Sequence, residues 1–139
     1  MLIRDYQSND FPQIEALWKD TGIFMVERGD TPGIIERCNA MGGKFLVMED
    51  PETGNIVATS WLTWDGRRIL LHHFAISPSF QNQGYGRTLA LESLAFARER
   101  GYPIKLEVSP DNLPAIQLYR NLGFELLGDF DVYMLKYPS

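Results

Sequence analysis

The chain has 139 residues, 45% hydrophobic content and a formal net charge of −5, which fits one domain that buries about two-thirds of its unfolded surface. The acidic balance, with no basic run beyond Arg67-Arg68, argues against nucleic acid or a membrane surface as partner and suits a cationic amine. The single Cys38 excludes an intrachain disulfide and a cysteine metal cluster, and we expect no metal. The sequence has no apolar run long enough to span a membrane and no signal-peptide pattern, so we expect a cytoplasmic protein.

The first predicted elements are a strand over residues 1–6 and a helix that ends near Gly22. Asp10 is the expected N-cap of this helix, Gln13 the partner in a capping box, and Pro12 is tolerated in the first turn.

Residues 21–43 have a weaker pattern, typical of segments that carry substrate specificity. A helix here would be opened by Thr31-Pro32, lined by Ile34, Ile35 and Cys38, and ended by Gly42-Gly43.

A three-strand meander follows over residues 44–49, 56–64 and 67–77, and Asp65-Gly66 predicts a two-residue hairpin between the last two strands. Strand alternation places Trp61 and Trp64 on opposite faces, so one is expected in the core and the other can wall a substrate cleft.

The second half predicts a long helix from Gly84 to about Arg100 that stops at Gly101. The remaining elements are a strand over 104–109, a helix over 115–122, and strands over 124–127 and 131–136. The strand-helix-strand crossover at 69–109 indicates an α+β domain over residues 1–139, with a central mixed, mostly antiparallel sheet flanked by helices.

The junction between the strand ending at Ser77-Pro78 and the long helix has the features of an anion site. Gly84 and Gly86 allow a sharp turn and a close ligand approach. The free N–H groups of the first helical turn attract negative charge. The strings of a nucleotide triphosphate loop or a dinucleotide fold are absent from the sequence.

Gln81, Gly84 and Gly86 form a Q-x-x-G-x-G string that resembles the pyrophosphate-binding loop of the GNAT superfamily, the acetyl-CoA-dependent N-acetyltransferases. Residues 106–125, LEVSPDNLPAIQLYRNLGFE, resemble the C-terminal motif of that superfamily, nearest to the branch that acetylates the N-terminal amine of ribosomal proteins. The two motifs together cover roughly residues 69–128 and predict the GNAT-like acyl-CoA N-acyltransferase fold.

The resemblance implies acetyl-CoA as co-substrate and a set of residues that hold it. The pantetheine arm would contact the main chain of Phe74, Ala75 and Ile76 and the side chain of Asn112. An N-cap role for Asn112 is equally compatible with the pattern. The pyrophosphate would bind the loop Gln81, Asn82, Gln83, Gly84, Tyr85, Gly86, Arg87 and Thr88. Gln81 replaces the arginine that the family often has, and Arg87 can compensate for the missing cation.

Amine attack on a thioester requires a neutral amine, an oxyanion stabiliser and a proton for the leaving thiolate. Glu107, between Leu106 and Val108, is the predicted base, acting through a water, and Tyr119 the predicted acid. Their separation of twelve positions (119 − 107) matches the ribosomal-protein branch. The alternatives are a surface strand residue for Glu107 and a core aromatic for Tyr119.

His72 and His73 are alternative bases, because an imidazole titrates near neutral pH. Strand alternation places His72 with Phe74 and Ile76 on one face and His73 with Ala75 on the other. A bulge near the site would change that order, and packing is the alternative role for both side chains.

The sequence predicts an enzyme that acetylates a primary amine on a small molecule or a protein. A sensor or scaffold that binds acetyl-CoA without turnover is the main alternative, and a relative that binds another nucleotide is a weaker one. The identity of the acceptor is not encoded in a readable motif, and the protein is expected to be a monomer or a homodimer.

Overall fold

The computed structural model describes residues 1–137. The strands are β1 (Leu2–Asp5), β2 (Lys44–Glu49), β3 (Ile56–Trp64), β4 (Ile69–Ile76) and β5 (Ile104–Leu106), and the helices are α1 (Phe11–Asp20), α2 (Pro32–Ala40), α3 (Tyr85–Arg100) and α4 (Leu113–Asn121). The chain divides into two compact units, Met1–Glu107 and Val108–Ser139. All five strands belong to the first unit.

The sheet of the first unit has the order β1-β2-β3-β4-β5, with antiparallel neighbours from β1 to β4. β5 runs parallel to β4, as the predicted crossover through α3 requires. The β4–β5 ladder pairs Ile69 with Ile104 and ends with the pair Leu71 and Leu106. The two strands therefore pair over three residues only.

Helices cover both faces of this sheet, and alternate strand residues point to each face. On one face α1 and α2 pack on a cluster that includes Trp18, Ile35, Phe45 and Trp61. On the other face α3 packs on a second cluster that includes Leu46, Leu62, Leu71 and Leu89. The predicted α+β architecture is confirmed. Trp61 and Trp64 pack in the first and second cluster respectively, so the prediction that they occupy opposite faces is also confirmed.

The start of α1 differs from the predicted capping box. The Asp10 side chain makes no cap hydrogen bond to α1. Its carboxylate instead accepts hydrogen bonds from the Arg4 guanidinium at 2.9 Å and from the Gln7 amide at 2.8 Å. Gln13 lies on the same helix, but its Oε1 accepts from the Ile56 amide at 2.8 Å. Asp10 thus forms a capping box one turn earlier, with Gln7 at the N-cap of the 3₁₀ turn Ser8–Asp10, whereas Gln13 bonds to β3.

The predicted two-residue hairpin at Asp65-Gly66 is wrong, since β3 and β4 are joined by the four residues 65–68. The Asp65 carboxylate accepts hydrogen bonds from the amides of Arg67 and Arg68, both at 2.8 Å. The Asp65 carboxylate thus provides the hydrogen-bond partners that the amides of Arg67 and Arg68 would have had in the β3–β4 ladder if the turn were tighter.

The second unit, described to residue 137, contains α4 but neither of the strands predicted at 124–127 and 131–136. Both predictions are wrong for the residues described, since positions 124–137 contain no strand. Several apolar side chains of this segment are exposed, among them Phe130, Val132 and Tyr133.

Candidate functional site

The predicted anion-binding loop joins β4 to α3 within the first unit. A short 3₁₀ turn over Pro78–Phe80 follows β4, and α3 begins after Gly84, whose φ of 87° lies in the left-handed region. Glycine adopts this conformation without strain, which explains its presence at the turn. The Gln81 side chain donates to the Ile76 carbonyl at 2.9 Å, and the Gln83 side chain donates to the Ser79 carbonyl at 3.0 Å. The first bond ties the loop to the end of β4, and the second ties it to the 3₁₀ turn.

The main-chain amides of this loop are free to bind a ligand. Among the described residues, the amides of 82–87 donate no hydrogen bond, whereas Thr88 already donates to the Gly84 carbonyl. Residues 81–84 and Arg87 are also exposed. The loop therefore presents a run of donors at the positive end of a 16-residue helix, where a diphosphate binds well.

β4 departs from regular geometry at His73, which has a φ of 46°. The β3–β4 register shifts at the same level, between Thr59 and Trp61. This bulge turns both imidazoles to the face that carries α1, where they contact the Trp61 ring with centroid distances of 4.6 Å for His72 and 5.2 Å for His73. The bulge, which the sequence analysis named as the exception to alternation, is confirmed, and because of it the two histidines do not lie on opposite faces.

Two buried hydrogen bonds hold the bulge in place. The Thr59 hydroxyl donates to the His73 carbonyl at 2.8 Å and accepts from the Trp18 indole N–H at 2.9 Å. Trp18 also packs on the His73 ring, with centroids 4.4 Å apart. The strained backbone of His73 is thus fixed by side chains of α1 and β3.

The two imidazoles form a chain with Asp30, a residue of the loop before α2. His73 Nε2 lies 2.9 Å from Asp30 Oδ1, and the Nδ1 atoms of the two histidines lie 2.8 Å apart. The Asp30 side chain is 2% exposed and also accepts from the Met25 amide at 2.8 Å. Burial, and then the neighbouring His73, lower the pKa of His72 to about 3.

Glu107 follows the last residue of β5, and its side chain is exposed. It lies one residue beyond Leu106, just as His72 lies one residue beyond Leu71, the β4 partner of Leu106. Glu107 and His72 are therefore the residues that follow the last pair of the β4–β5 ladder. The apolar neighbours Leu106 and Val108 do not bury Glu107.

The second unit contains Asn112 and Tyr119. Asn112 caps α4, since its Oδ1 accepts from the Ala115 amide at 3.3 Å, so the N-cap role is confirmed. Tyr119 is buried, as predicted, and its ring packs against Phe124 with centroids 5.7 Å apart. Burial raises the pKa of Tyr119 to about 12. The pantetheine contact of Asn112 stays a prediction, as do those of Phe74, Ala75 and Ile76.

The sequence analysis missed Asp30, Thr59 and Trp18, which position the histidines. Asp30 precedes the correctly predicted Thr31-Pro32 helix start and carries no local signal that distinguishes it from a loop carboxylate. Its burial follows from a partner 43 positions away, which no spacing rule detects.

The comparisons with known proteins agree with this geometry. The model of the acetyltransferase (GNAT) family matches residues 6–124. The mycothiol acetyltransferase of Thermobifida fusca (strain YX) is 39% identical over 93 residues, which are 59% of this chain and 28% of that protein. The N-alpha-acetyltransferase RimI of Mycobacterium tuberculosis (strain ATCC 25618 / H37Rv) is 43% identical over 58 residues, which are 42% of this chain and 35% of that protein.

The crystal structure of a ribosomal-protein-alanine N-acetyltransferase from Brucella melitensis matches with a TM-score of 0.76 at 25% identity, over 90% of this chain and 85% of that chain. The chain spans less than half the length of the curated relatives it matches. None of the helices among residues 1–137 is long and apolar enough to cross a membrane. The resemblance to the ribosomal-protein branch is confirmed. The family match, the GNAT fold and the donor-lined loop agree: the chain belongs to the acetyltransferase (GNAT) family, whose members use acetyl-CoA as co-substrate.

Proposed function

We propose that this domain transfers the acetyl group of acetyl-CoA to a primary amine of a small molecule or a protein. The proposal depends on one observation at the start of α3. Among the residues that the structure describes, the main-chain N–H groups of residues 82–87 donate no hydrogen bond. A diphosphate would satisfy several of these donors together and interact favourably with the helix dipole.

The rest of the coenzyme extends from this loop along β4. The main chain of Phe74, Ala75 and Ile76 would bind the pantetheine arm, and Asn112 would contact it through its side chain. Gln81 carries no charge, and its amide group is already bonded to the Ile76 carbonyl. Arg87, which is exposed in the first turn of α3, is the cation available to the diphosphate.

The chemical step is direct attack of the amine nitrogen on the thioester carbon. A C–N bond forms, the C–S bond breaks, and the proton lost by nitrogen passes through a water to Glu107. Tyr119 donates its hydroxyl hydrogen to the departing sulfur. With a pKa of about 12, Tyr119 is protonated at neutral pH when the C–S bond breaks, and the tyrosinate that the transfer leaves takes a proton from solvent before the next turnover.

The acceptor is an amine of a kind that the base can deprotonate. At pH 7 a lysine amine, with a pKa of about 10.4, costs roughly 4–5 kcal/mol to deprotonate, but an α-amine near 7.7–8.0 costs only about 1–1.5 kcal/mol. The relatives include a streptothricin acetyltransferase and an N-alpha-acetyltransferase. Their names support a small-molecule amine and a protein N-terminus respectively, and we retain both classes.

Cofactor binding is tested by thermal unfolding with millimolar acetyl-CoA, and with NAD as the matched control nucleotide. A ligand at 100 times its Kd stabilises the folded state by about 2.7 kcal/mol, so acetyl-CoA should raise the Tm clearly. NAD should leave it unchanged. No Tm shift with acetyl-CoA would contradict the proposal.

Turnover is tested by thiol release with a panel of small amines and peptide N-termini. Tyr119→Phe should lower kcat by about 100-fold, because it removes the proton donor, and should keep the acetyl-CoA-dependent Tm shift. Tyr102→Phe, the same change at a partly exposed tyrosine of the first unit, is the control and should retain activity.

The sensor alternative is favoured by one observation, the exposure of the proposed base Glu107. It predicts acetyl-CoA binding without thiol release from any amine, in the wild type as well as in the Tyr119→Phe variant. The same panel therefore separates the two functions.

A further inference from the structure

The cluster of Asp30, His73 and His72 has a geometry that defines where its protons lie. The Met25 amide donates to Asp30 Oδ2, and an ionised Asp30 carboxylate can only accept, so His73 is assigned as the donor through Nε2. A neutral His73 then has its lone pair on Nδ1. Since the two Nδ1 atoms are 2.8 Å apart, the hydrogen between them belongs to His72. The lone pair of His72 is left on Nε2.

Proton uptake changes this pattern in a defined way. A proton that binds His72 Nε2 allows the Nδ1 hydrogen of His72 to transfer to Nδ1 of His73, the two nitrogens being 2.8 Å apart. His72 is then neutral again, and the positive charge rests on His73, where it forms an ion pair with Asp30 at 2.9 Å. Charge is balanced at each stage, and no external oxidant or reductant is needed.

We propose that Asp30, His73 and His72 form a proton relay that accepts the proton of the acceptor amine during acetyl transfer. His72 is the catalytic residue that receives the proton at Nε2, and His73 and Asp30 are positioning residues that hold its tautomer and take up the charge. This inference rests on the proposed function and adds a second proton acceptor beside Glu107.

The relay explains why an unfavourable arrangement is retained. A φ of 46° at a residue other than glycine is strained and persists only where its surroundings enforce it. Asp30 is a nearly fully buried carboxylate, which is costly without a partner. The positive φ of His73 and the burial of Asp30 together place His73 Nδ1 next to His72 and His73 Nε2 next to Asp30.

The surroundings of the imidazoles favour proton transfer over metal binding. The nitrogens point at each other and at Asp30, not at a shared central point, and no group of three ligands suited to a metal ion occurs among residues 1–137. The other rings packed on the histidines, Trp18 and Trp61, are uncharged. Tyr6 and Cys38 are the titratable side chains packed against the cluster that contains these two indoles.

The relay also suits the exposure of Glu107. An exposed carboxylate exchanges protons readily with solvent but is a weak base. The relay therefore offers the amine proton a second acceptor beside Glu107.

The test is the pH dependence of kcat/KM for acetyl transfer in the wild type, His72→Gln and Asp30→Asn. His72→Gln should lower kcat/KM about 100-fold, as expected for loss of a general base, and keep the acetyl-CoA-dependent Tm shift. Asp30→Asn removes the negative charge that stabilises protonated His73. It should therefore move the rising limb of the profile to lower pH and lower its plateau. Asp20→Asn, the same change at an exposed residue of α1, should have the wild-type profile.

Ring ¹⁵N spectra of the free protein give a readout that does not depend on turnover. At pH 7 we expect a protonated Nδ1 and an unprotonated Nε2 on His72, and the reverse on His73. The opposite tautomers would overturn the relay. A His72→Gln protein with the wild-type kcat/KM would also overturn the relay. The same holds for an Asp30→Asn protein in which the plateau of kcat/KM falls but the rising limb of its pH profile does not shift, because that pattern indicates a structural role. A wild-type protein that releases no thiol with any amine would overturn the proposed function and the base role together, and the tautomers would still show whether the relay is formed.

Discussion

Thr59 is the residue through which the bulge at His73 can be tested most directly. It is fully buried, and its hydroxyl accepts from the Trp18 indole and donates to the His73 carbonyl. Thr59→Val keeps the shape and volume of the side chain but removes both hydrogen bonds. Two polar groups, the indole N–H and the carbonyl, then lack these partners.

Each unsatisfied buried group costs about 1–3 kcal/mol, so Thr59→Val should lose about 2–6 kcal/mol of the free energy of unfolding. Thr59→Ser keeps the hydroxyl and loses one methyl group, which costs about 0.5–1.5 kcal/mol on the scale of other single-methyl deletions. The valine variant should therefore be less stable than the serine variant, although it is larger and more apolar.

The assay is urea unfolding of both variants and the wild type at fixed pH, followed by circular dichroism, with equal m values as the condition for comparison. The kcat/KM of each variant is measured in parallel, since a looser bulge would misplace His73. A Thr59→Val protein as stable as Thr59→Ser, or more so, would refute the view that these hydrogen bonds hold the bulge.

Three further predictions concern other parts of the first unit. Gly84→Ala should cost about 1–2 kcal/mol of stability, because φ is 87° there, and should weaken the acetyl-CoA-dependent Tm shift, measured by thermal unfolding. For Asp10, burial opposes ionisation but the hydrogen bonds from Arg4 keep its pKa below the ordinary 3.8. The ionised carboxylate thus stabilises the fold above about pH 4 and loses this effect as the pH falls, so the deficit of Asp10→Asn in urea unfolding should shrink on acidification. Ser60 and Ser93 share a buried 2.7 Å hydrogen bond, and Ser93→Ala should cost about 1–3 kcal/mol, with the double alanine variant costing less than the sum of the single ones in the same assay.

Local sequence signals predicted the elements whose ends are set by local chemistry. Gly84 and Gly101 delimit α3, and Thr31-Pro32 opens α2, since left-handed glycines and a side-chain cap act within a few residues. The anion-binding loop was predictable for the same reason, because its donors come from a helix start.

The rest depended on partners distant in the chain. The bulge at His73 needs Thr59 on the neighbouring strand, and the burial of Asp30 needs His73. Alternation along β4 alone therefore misplaced one histidine. The alternating residues 131–136 have strand-like composition, yet composition cannot supply the ladder partner that a strand requires.

The packing of His73 between two indoles gives the protein an internal optical probe. Its ring lies 4.4 Å from Trp18 and 5.2 Å from Trp61, whereas Trp64 packs beside Tyr102 in the other cluster. A charged imidazole withdraws electron density from an excited indole and dims its emission. In a Trp64→Phe protein the fluorescence would thus track the charge on His73, and mixing with acetyl-CoA and an amine in a stopped-flow instrument would follow that charge in real time.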